Sequence, residues 1–461
     1  MELKLVIDGL GAALEELKQD INDLSLDVIT RHNELLSNLD SQETSLDTLM
    51  TDVGNIDTKL DAVHTMLSHI ADTQAAHGVQ LNAIMAAIQE LRPVDPPPVE
   101  QLPLIGVNFA GMANSGHALP GSLGTHYRSI LDRAGIDYVH MHAGHLIGQP
   151  WLARLPILME RMFDIMSDGT YVMRQSYMNE LLDVVDAIYA SDGQCLIDVH
   201  NYCRWFVPTS QALLDAGFVP QSSTVNGVTF SACHVPIGHP LCPVNYTMFN
   251  DMWKQIAERV AEYPGIWGLG LMNEPNGLNE TAAWFAQVQN CINGIRQVNM
   301  NHWITVGGGG WSTAKFWRIH SDQLKNLVDP ADKLMFEAHQ YPDGPDGTAG
   351  GKWANPTTPI DPVARVNDWR DWILWLQENN LRGVAGEFGG PGTTVGMQEY
   401  FTALYDLFEQ HRIPCFQWLA GPGDSDAYPN GMDSHIDGLK PNAEQNHLRI
   451  GRTCTSYGPR V

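Results

Sequence analysis

Two hydrophobic periods divide the chain. Over residues 1–91 the apolar positions recur every seven. Ile7, Leu14, Ile21, Val28 and Leu35 fall in one column, and Leu3, Leu10, Leu17 and Leu24 in the other. Further along, Leu46, Val53, Leu60, Leu67, Leu81 and Ile88 stand at a, with Leu49, Ile56, Val63, Ile70, Ile84 and Leu91 at d. A sustained seven-residue repeat keeps one seam facing a partner helix, so this segment is predicted to be a coiled-coil stalk. Leu35 and Leu39 can both serve as a, a four-residue insertion that locally unwinds the supercoil. Leu-rich a positions with Ile and Val at d lean toward three or four strands, and the expectation is a parallel homotrimer. An intramolecular hairpin turning at 37–45 or at Gly54 is the alternative. Gln74 and His77 interrupt the seam and are read as register-fixing polar residues, not as metal ligands. Residues 92–103 carry Pro93, Pro96, Pro97, Pro98 and Pro103, which forbid helix and favour a stiff extended linker.

From residue 104 to 461 the period changes. Short runs rich in Val, Ile and Leu alternate with longer helical patterns. The runs are PLIGVNFAG (103–111), LARLPIL (152–158), QCLIDVHNY (194–202), IWGLGLMNEP (266–275), HWITVGGGGW (302–311), KLMFEAHQY (333–341), RGVAGEFGG (382–390) and PCFQWLAGP (414–422). Helices are expected at 176–191, 246–263, 281–299 and 364–380. Continuous apolar runs separated by helices are what parallel strands buried on both faces look like. The predicted fold class is therefore α/β, a (β/α)8 TIM barrel preceded by the helical stalk. Trp369, Trp372 and Trp375 recur every third residue on one of the helices and are expected to pack against the barrel.

Composition narrows the partners. Hydrophobic residues make up 44% of the chain, enough for a sizeable core, and the formal net charge is −26. Such a charge disfavours nucleic acid and anionic membrane, both of which need basic patches, and favours a neutral or weakly charged ligand. No segment approaches the ~20 apolar residues of a membrane span, and the N-terminus lacks the basic and apolar blocks of a signal peptide. None of the seven cysteines forms a C-x-x-C pair, so no zinc site is expected. Cys233 and Cys242 are near enough in sequence to staple a loop in an oxidising compartment. His126, His140, His142 and His145 cluster in one connection, with His140 and His142 alternating as in a strand. No carboxylate or cysteine accompanies them at ligand spacing, so they read as ordinary loop histidines. GGGG at 307–310 has no GK[ST] after it and reads as a strand-end turn.

The chemistry gathers at the ends of the runs. In a parallel barrel the active site lies at the C-terminal ends of the strands. Those ends carry Asn108, Arg154, His200, Asn201, Asn273, Glu274, Trp311, His339, Tyr341, Glu387 and Trp418. Glu274 closes the fourth run and Glu387 the seventh, so the two can face each other across the barrel mouth. Paired carboxylates flanking a bond are the equipment of glycoside hydrolysis.

These motifs resemble glycoside hydrolase family 5, in particular its cellulase and endoglucanase-like branch. MNEP (272–275) resembles the acid/base strand and GEFG (386–389) the nucleophile strand. RLPILMER (154–161), DVHNY (198–202), FEAHQYPDGPDGT (336–348) and QWLAGP (417–422) resemble the second, third, sixth and eighth strands. The resemblance covers about 104–440 and none of the stalk. It implies a retaining endo-β-1,4-glucanase with Glu274 as acid/base and Glu387 as nucleophile. Asn273 would bind the sugar 2-hydroxyl, Arg154 and Tyr341 would hold the nucleophile, and His200, Asn201 and His339 would line the cleft. Trp418 would be the sugar platform at the point of cleavage, with Trp311 and Trp205 as further platforms. No metal or organic cofactor is implied. The partner expected is a β-glucan polysaccharide. Asn276 stands where this branch often has His, and 204–243 reads as an enlarged loop. A mannanase, an exopolysaccharide depolymerase and a non-catalytic carbohydrate-binding adhesin are the alternatives. The stalk points to an extracellular or virion-associated, phage-tail setting.

Overall fold

The computed structural model describes residues 101–459 except 132–137, 147, 345–346, 423–427 and 435–437, together with 11, 14–16, 18–20 and 23 near the N-terminus. The chain divides into two units, Met1–Pro98 and Val99–Val461. In the first, the described residues are helical, and Gln19 donates to Asp23 at 2.8 Å, one helical turn on. The rest of the predicted stalk, and residues 92–100 of the predicted linker, lie outside the described residues.

The second unit is built on eight parallel strands: β1 (Ile105–Phe109), β2 (Trp151–Ile157), β3 (Gly193–Val199), β4 (Ile266–Gly270), β5 (Trp303–Gly307), β6 (Leu334–His339), β7 (Gly383–Phe388) and β8 (Cys415–Ala420). They close into one barrel in the order β4-β5-β6-β7-β8-β1-β2-β3, with every neighbouring pair parallel. The strand residues are almost all buried, because one face meets the barrel interior and the other the helices. The predicted α/β barrel is the fold observed.

Five longer helices cover the outside: α1 (Gln175–Tyr189), α2 (Tyr246–Arg259), α3 (Leu278–Arg296), α4 (Arg370–Glu378) and α5 (Met397–His411). Asn245 starts α2 by accepting a hydrogen bond from the Met248 N–H, satisfying a donor the helix leaves open. The helix expected over 364–380 is two, Pro362–Asn367 and α4. Trp369, Trp372 and Trp375 are fully buried against the barrel, their rings edge-on to Phe388, Trp317 and Phe336.

The structure corrects some sequence expectations and fills in others. Leu102 and Pro103, expected in the linker, pair antiparallel with Cys454 and Thr453. His140 and His142 lie on a short helix, Tyr138–Ala143, not on a strand, and His142 Nε2 meets Asp433 Oδ2 at 3.2 Å. Cys233 and Cys242 are both unpaired thiols packed in a small apolar cluster with Leu213 and Val235. The enlarged loop after β3 is a three-stranded antiparallel sheet of Arg204–Pro208, Gln221–Val225 and Val228–Pro236. Asn226 and Gly227, both at positive φ, make its two-residue turn.

Candidate active site

Arg154 organises the rim. It sits mid-way along β2 with no solvent exposure, where an unpaired charge would be prohibitively costly. Its guanidinium donates to Asn108 Oδ1 at 2.9 Å, Asn273 Oδ1 at 2.7 Å, Glu337 Oε1 at 2.9 Å and Glu387 Oε1 at 2.9 Å. It also lies 3.0 Å from Asp198 Oδ1. Burial pulls its proton affinity down, but Asp198, Glu337 and Glu387 outweigh this and raise it. One cation thus ties together residues from β1, β2, β3, β6 and β7 and the segment after β4.

Two carboxylates of this network are held ionised. Glu337, on β6, accepts from Thr305 Oγ1 at 2.6 Å as well as from Arg154. Burial favours its neutral form, yet Arg154 and His339 bring its pKa to about 2. Glu387, on β7, accepts from Tyr341 Oη at 2.9 Å. Burial again opposes ionisation, and the charges of His339 and Arg154 overcome it, leaving the pKa below the usual carboxylate value.

His339 joins Glu274 to the buried Glu337. Its Nδ1 is 2.8 Å from Glu274 Oε1 and its Nε2 is 3.0 Å from Glu337 Oε1. Burial disfavours the imidazolium, but Glu387, Glu274 and Glu337 raise its pKa to about 10. As an imidazolium it donates from both nitrogens. Gly386 makes room for this contact, since a Cβ there would collide with the Glu337 carboxylate and the His339 ring.

Glu274 differs from its partner. It follows β4 with φ at +44°, a left-handed conformation rare for a residue with a Cβ. Burial and the negative charge of Glu387 raise its pKa, and the contact with His339 only partly offsets them. Oxygen atoms of Glu274 and Glu387, with a nitrogen of His339, all lie within 4.8 Å of one another. A carboxyl of raised and one of lowered proton affinity therefore face the same small volume. The same three groups have the spacing of a metal site. A cation there would have to displace a strongly held imidazolium proton, so the set is better suited to proton chemistry.

The cleft wall continues from β3. Asp198 Oδ2 is 2.8 Å from His200 Nδ1, which leaves His200 Nε2 to accept from Asn273 Nδ2 at 3.3 Å. The His200 ring stacks on Trp418, with centroids 5.6 Å apart and planes at 12°. Trp311 is not on a strand but on the turn Gly309–Ser312 after β5. It is 49% exposed and edge-on to Tyr202. It borders a cleft of about 470 Å3 whose lining includes Glu274, His339 and Tyr341.

The structure brings together Arg154, His200, Asn273, Glu274, His339, Tyr341, Glu387 and Trp418, with Trp311 at the edge. Two expectations fail. Asn201 is buried, and its amide is taken up by the Met159 N–H, the Glu160 carboxylate and the Arg204 carbonyl. It braces the loop after β3 and has no donor left for a sugar. Trp205 is only 4% exposed and belongs to the core. Glu337 and Asp198 were missed. Each is a carboxylate inside an otherwise apolar run, and such a group must find a buried cation.

Two carboxyls of opposite proton affinity across a parallel barrel make this a site of the glycoside-hydrolase class. The sequence profile of the cellulase family, glycosyl hydrolase family 5, matches residues 152–424, more than half of the chain, and the chain belongs to this family. It is 27% identical over 314 residues to endoglucanase 1 of a Robillarda species, a match covering 67% of this chain and 73% of that protein. It is also 27% identical over 324 residues to endo-β-1,4-glucanase B of Aspergillus niger, covering 69% and 81%. Among solved structures it is similar to the Pseudomonas stutzeri endoglucanase in complex with cellobiose. That likeness has a TM-score of 0.63 and 25% identity, and covers 78% of this chain and 98% of the other. The protein is a glycoside hydrolase. Among the described residues no helix is long and apolar enough to cross a membrane.

Proposed function

We propose that this protein is a retaining endo-β-1,4-glucanase in which Glu387 is the nucleophile and Glu274 the acid/base. Glu387 attacks the anomeric carbon while the glycosidic C–O bond breaks and the departing oxygen takes the Glu274 proton. The resulting glycosyl ester neutralises Glu387. Its charge no longer raises the Glu274 pKa, so Glu274 becomes the base that takes a proton from water. The water oxygen then bonds to the anomeric carbon and the Glu387 carboxylate leaves, restoring the starting configuration. Arg154, Tyr341 and His339 keep the nucleophile ionised. Asn273 binds the 2-hydroxyl, and Trp418, steadied by His200, carries the apolar face of the sugar.

The observation that carries this reading is the approach of the two carboxyls to within 4.8 Å. An inverting enzyme needs a gap of ~6.5–9.5 Å for a water between its carboxyl groups. Proton NMR of a fresh cello-oligosaccharide digest tests it. The β anomer appears first if the reading holds, and α-first release contradicts it. A fall in β-glucan viscosity that outruns reducing-end release checks the endo mode.

The N-terminal segment is read as a trimeric stalk. The heptad pattern supports this. Light scattering of the full chain tests it, and a monomer at micromolar concentration contradicts it. A polymeric substrate too large to cross a membrane supports an extracellular setting, with the stalk on a virion. Immunogold labelling of virions tests that setting.

A further inference from the structure

The cleft has a second chemistry beside the glutamates. Its lining includes Glu274 but neither Glu387 nor Trp418. The acid stands next to the oxygen that departs, while the nucleophile and the platform hold the sugar that is attacked. On the reading proposed above, this space receives the leaving-group side of the polysaccharide. Trp311 and Phe316 expose ring surface to it, and Lys352 is the only lysine or arginine among its described lining residues.

Lys352 is held there by a built loop. The Asp343 carboxylate accepts from the N–H groups on either side of Lys352, Gly351 at 2.7 Å and Trp353 at 3.1 Å. The Gly351 carbonyl accepts from Asn430 at 2.9 Å. Gly351 has φ at +74°, and a Cβ there would stand 2.9 Å from the Tyr341 ring, so the loop rests directly on a residue of the site. Asp343 spends its carboxylate on those N–H groups. Lys352 itself is exposed and makes no hydrogen bond or ion pair among the described residues. The loop thus places an ammonium at the edge of a space whose only carboxylate among the described lining residues is Glu274.

We propose that this subsite takes an acidic substituent on the leaving-group side of the chain, such as a uronate or carboxyalkyl group, paired with Lys352. The net charge of −26 bounds the claim. That field repels a densely anionic polymer, but salt screens it beyond a Debye length of ~8 Å under physiological conditions. A direct contact with Lys352 acts inside that distance. The favoured substrate is therefore sparsely substituted.

Carboxymethylcellulose and hydroxyethylcellulose of matched substitution provide the test, assayed with wild type, K352M and K352R at low salt. K352M is expected to lose about fivefold in kcat/KM on the carboxymethyl polymer, the scale of one partly exposed ion pair. Its rate on the hydroxyethyl polymer changes by less than about twofold on the same scale. K352R retains the preference, and added salt of ~0.5 M, where the Debye length shrinks toward 4 Å, removes it. Equal responses on the two polymers, with hydrolysis intact, overturn the role of Lys352 alone. Failure of wild type to cleave either polymer overturns the glucanase reading and this inference with it.

Discussion

The ends of β4 and β7 carry the same functional group with proton affinities shifted in opposite directions. Glu387 has two donors on its carboxylate, Arg154 and Tyr341, and a charged imidazole 3.6 Å away. Glu274 has one, His339, and is the more exposed of the two, with its side chain 15% accessible against 5%. Both are removed from water, so burial raises the proton affinity of both. What separates them is the count of cations within reach: Glu387 has Arg154 and His339, while Glu274 has His339 and the opposing charge of Glu387. The barrel scaffold fixes position, and the buried ions around it fix protonation.

The sharpest way to break this comparison is to neutralise each carboxyl in turn. E387Q is expected to lower kcat by about 10^4-fold or more on any glucan substrate. E274Q should cost about 10²–10⁴-fold on a polysaccharide. Its deficit in the first step should nearly vanish on a dinitrophenyl cellobioside, whose leaving group needs no proton. Azide should rescue E274A, giving a β-glycosyl azide. The same responses from both variants would erase the distinction.

Next in size is the cation they share. R154M leaves Asp198, Glu337 and Glu387 without the cation they share. It is expected to cost about 3–5 kcal/mol of stability, read from the urea midpoint. E387Q, which removes one carboxylate and keeps an acceptor for Arg154, should cost much less.

The pH profile sharpens the comparison further. The proposed mechanism needs Glu387 ionised and Glu274 protonated. The first is lowered and the second raised from an ordinary value of 4.5, so the bell in kcat/KM should open around that value. His339 lowers the pKa of both. H339Q removes its charge, each carboxyl then holds its proton more tightly, and both limbs should move to higher pH. Movement of one limb only would mean that His339 serves a single glutamate. The smallest effect is expected for Y341F, about tenfold in kcat for one hydrogen bond to a charged group. Its acid limb should rise while the alkaline limb stays, because the Tyr341 hydroxyl donates only to Glu387.

Much of this was legible in the chain because parallel barrel strands are buried on both faces. IWGLGL and RGVAG could only be strands flanked by helices, and a glutamate ending such a run needed a purpose. The stacking of His200 on Trp418 was not legible, since it joins β3 to β8 through space. Glu337 and Asp198 were not legible as site residues, because each lies inside an otherwise apolar strand, two residues before a histidine. Asn201 misled for the opposite reason. It sits next to His200 in the motif, but successive residues leave a strand end in different directions, and its amide meets Glu160 and not the cleft. His140 and His142 alternate like strand residues, yet YVHMHA is too short for periodicity to separate strand from helix.

In the proposed mechanism Glu387 forms a bond to the sugar while Glu274 does not. Incubation with a 2-deoxy-2-fluoro cellobioside carrying a good leaving group, followed by peptide mass spectrometry, reads this directly. The expected result is one fluorocellobiosyl group on the peptide containing Glu387, with loss of activity in step with labelling. Label on Glu274, or turnover without any labelled protein, would contradict it.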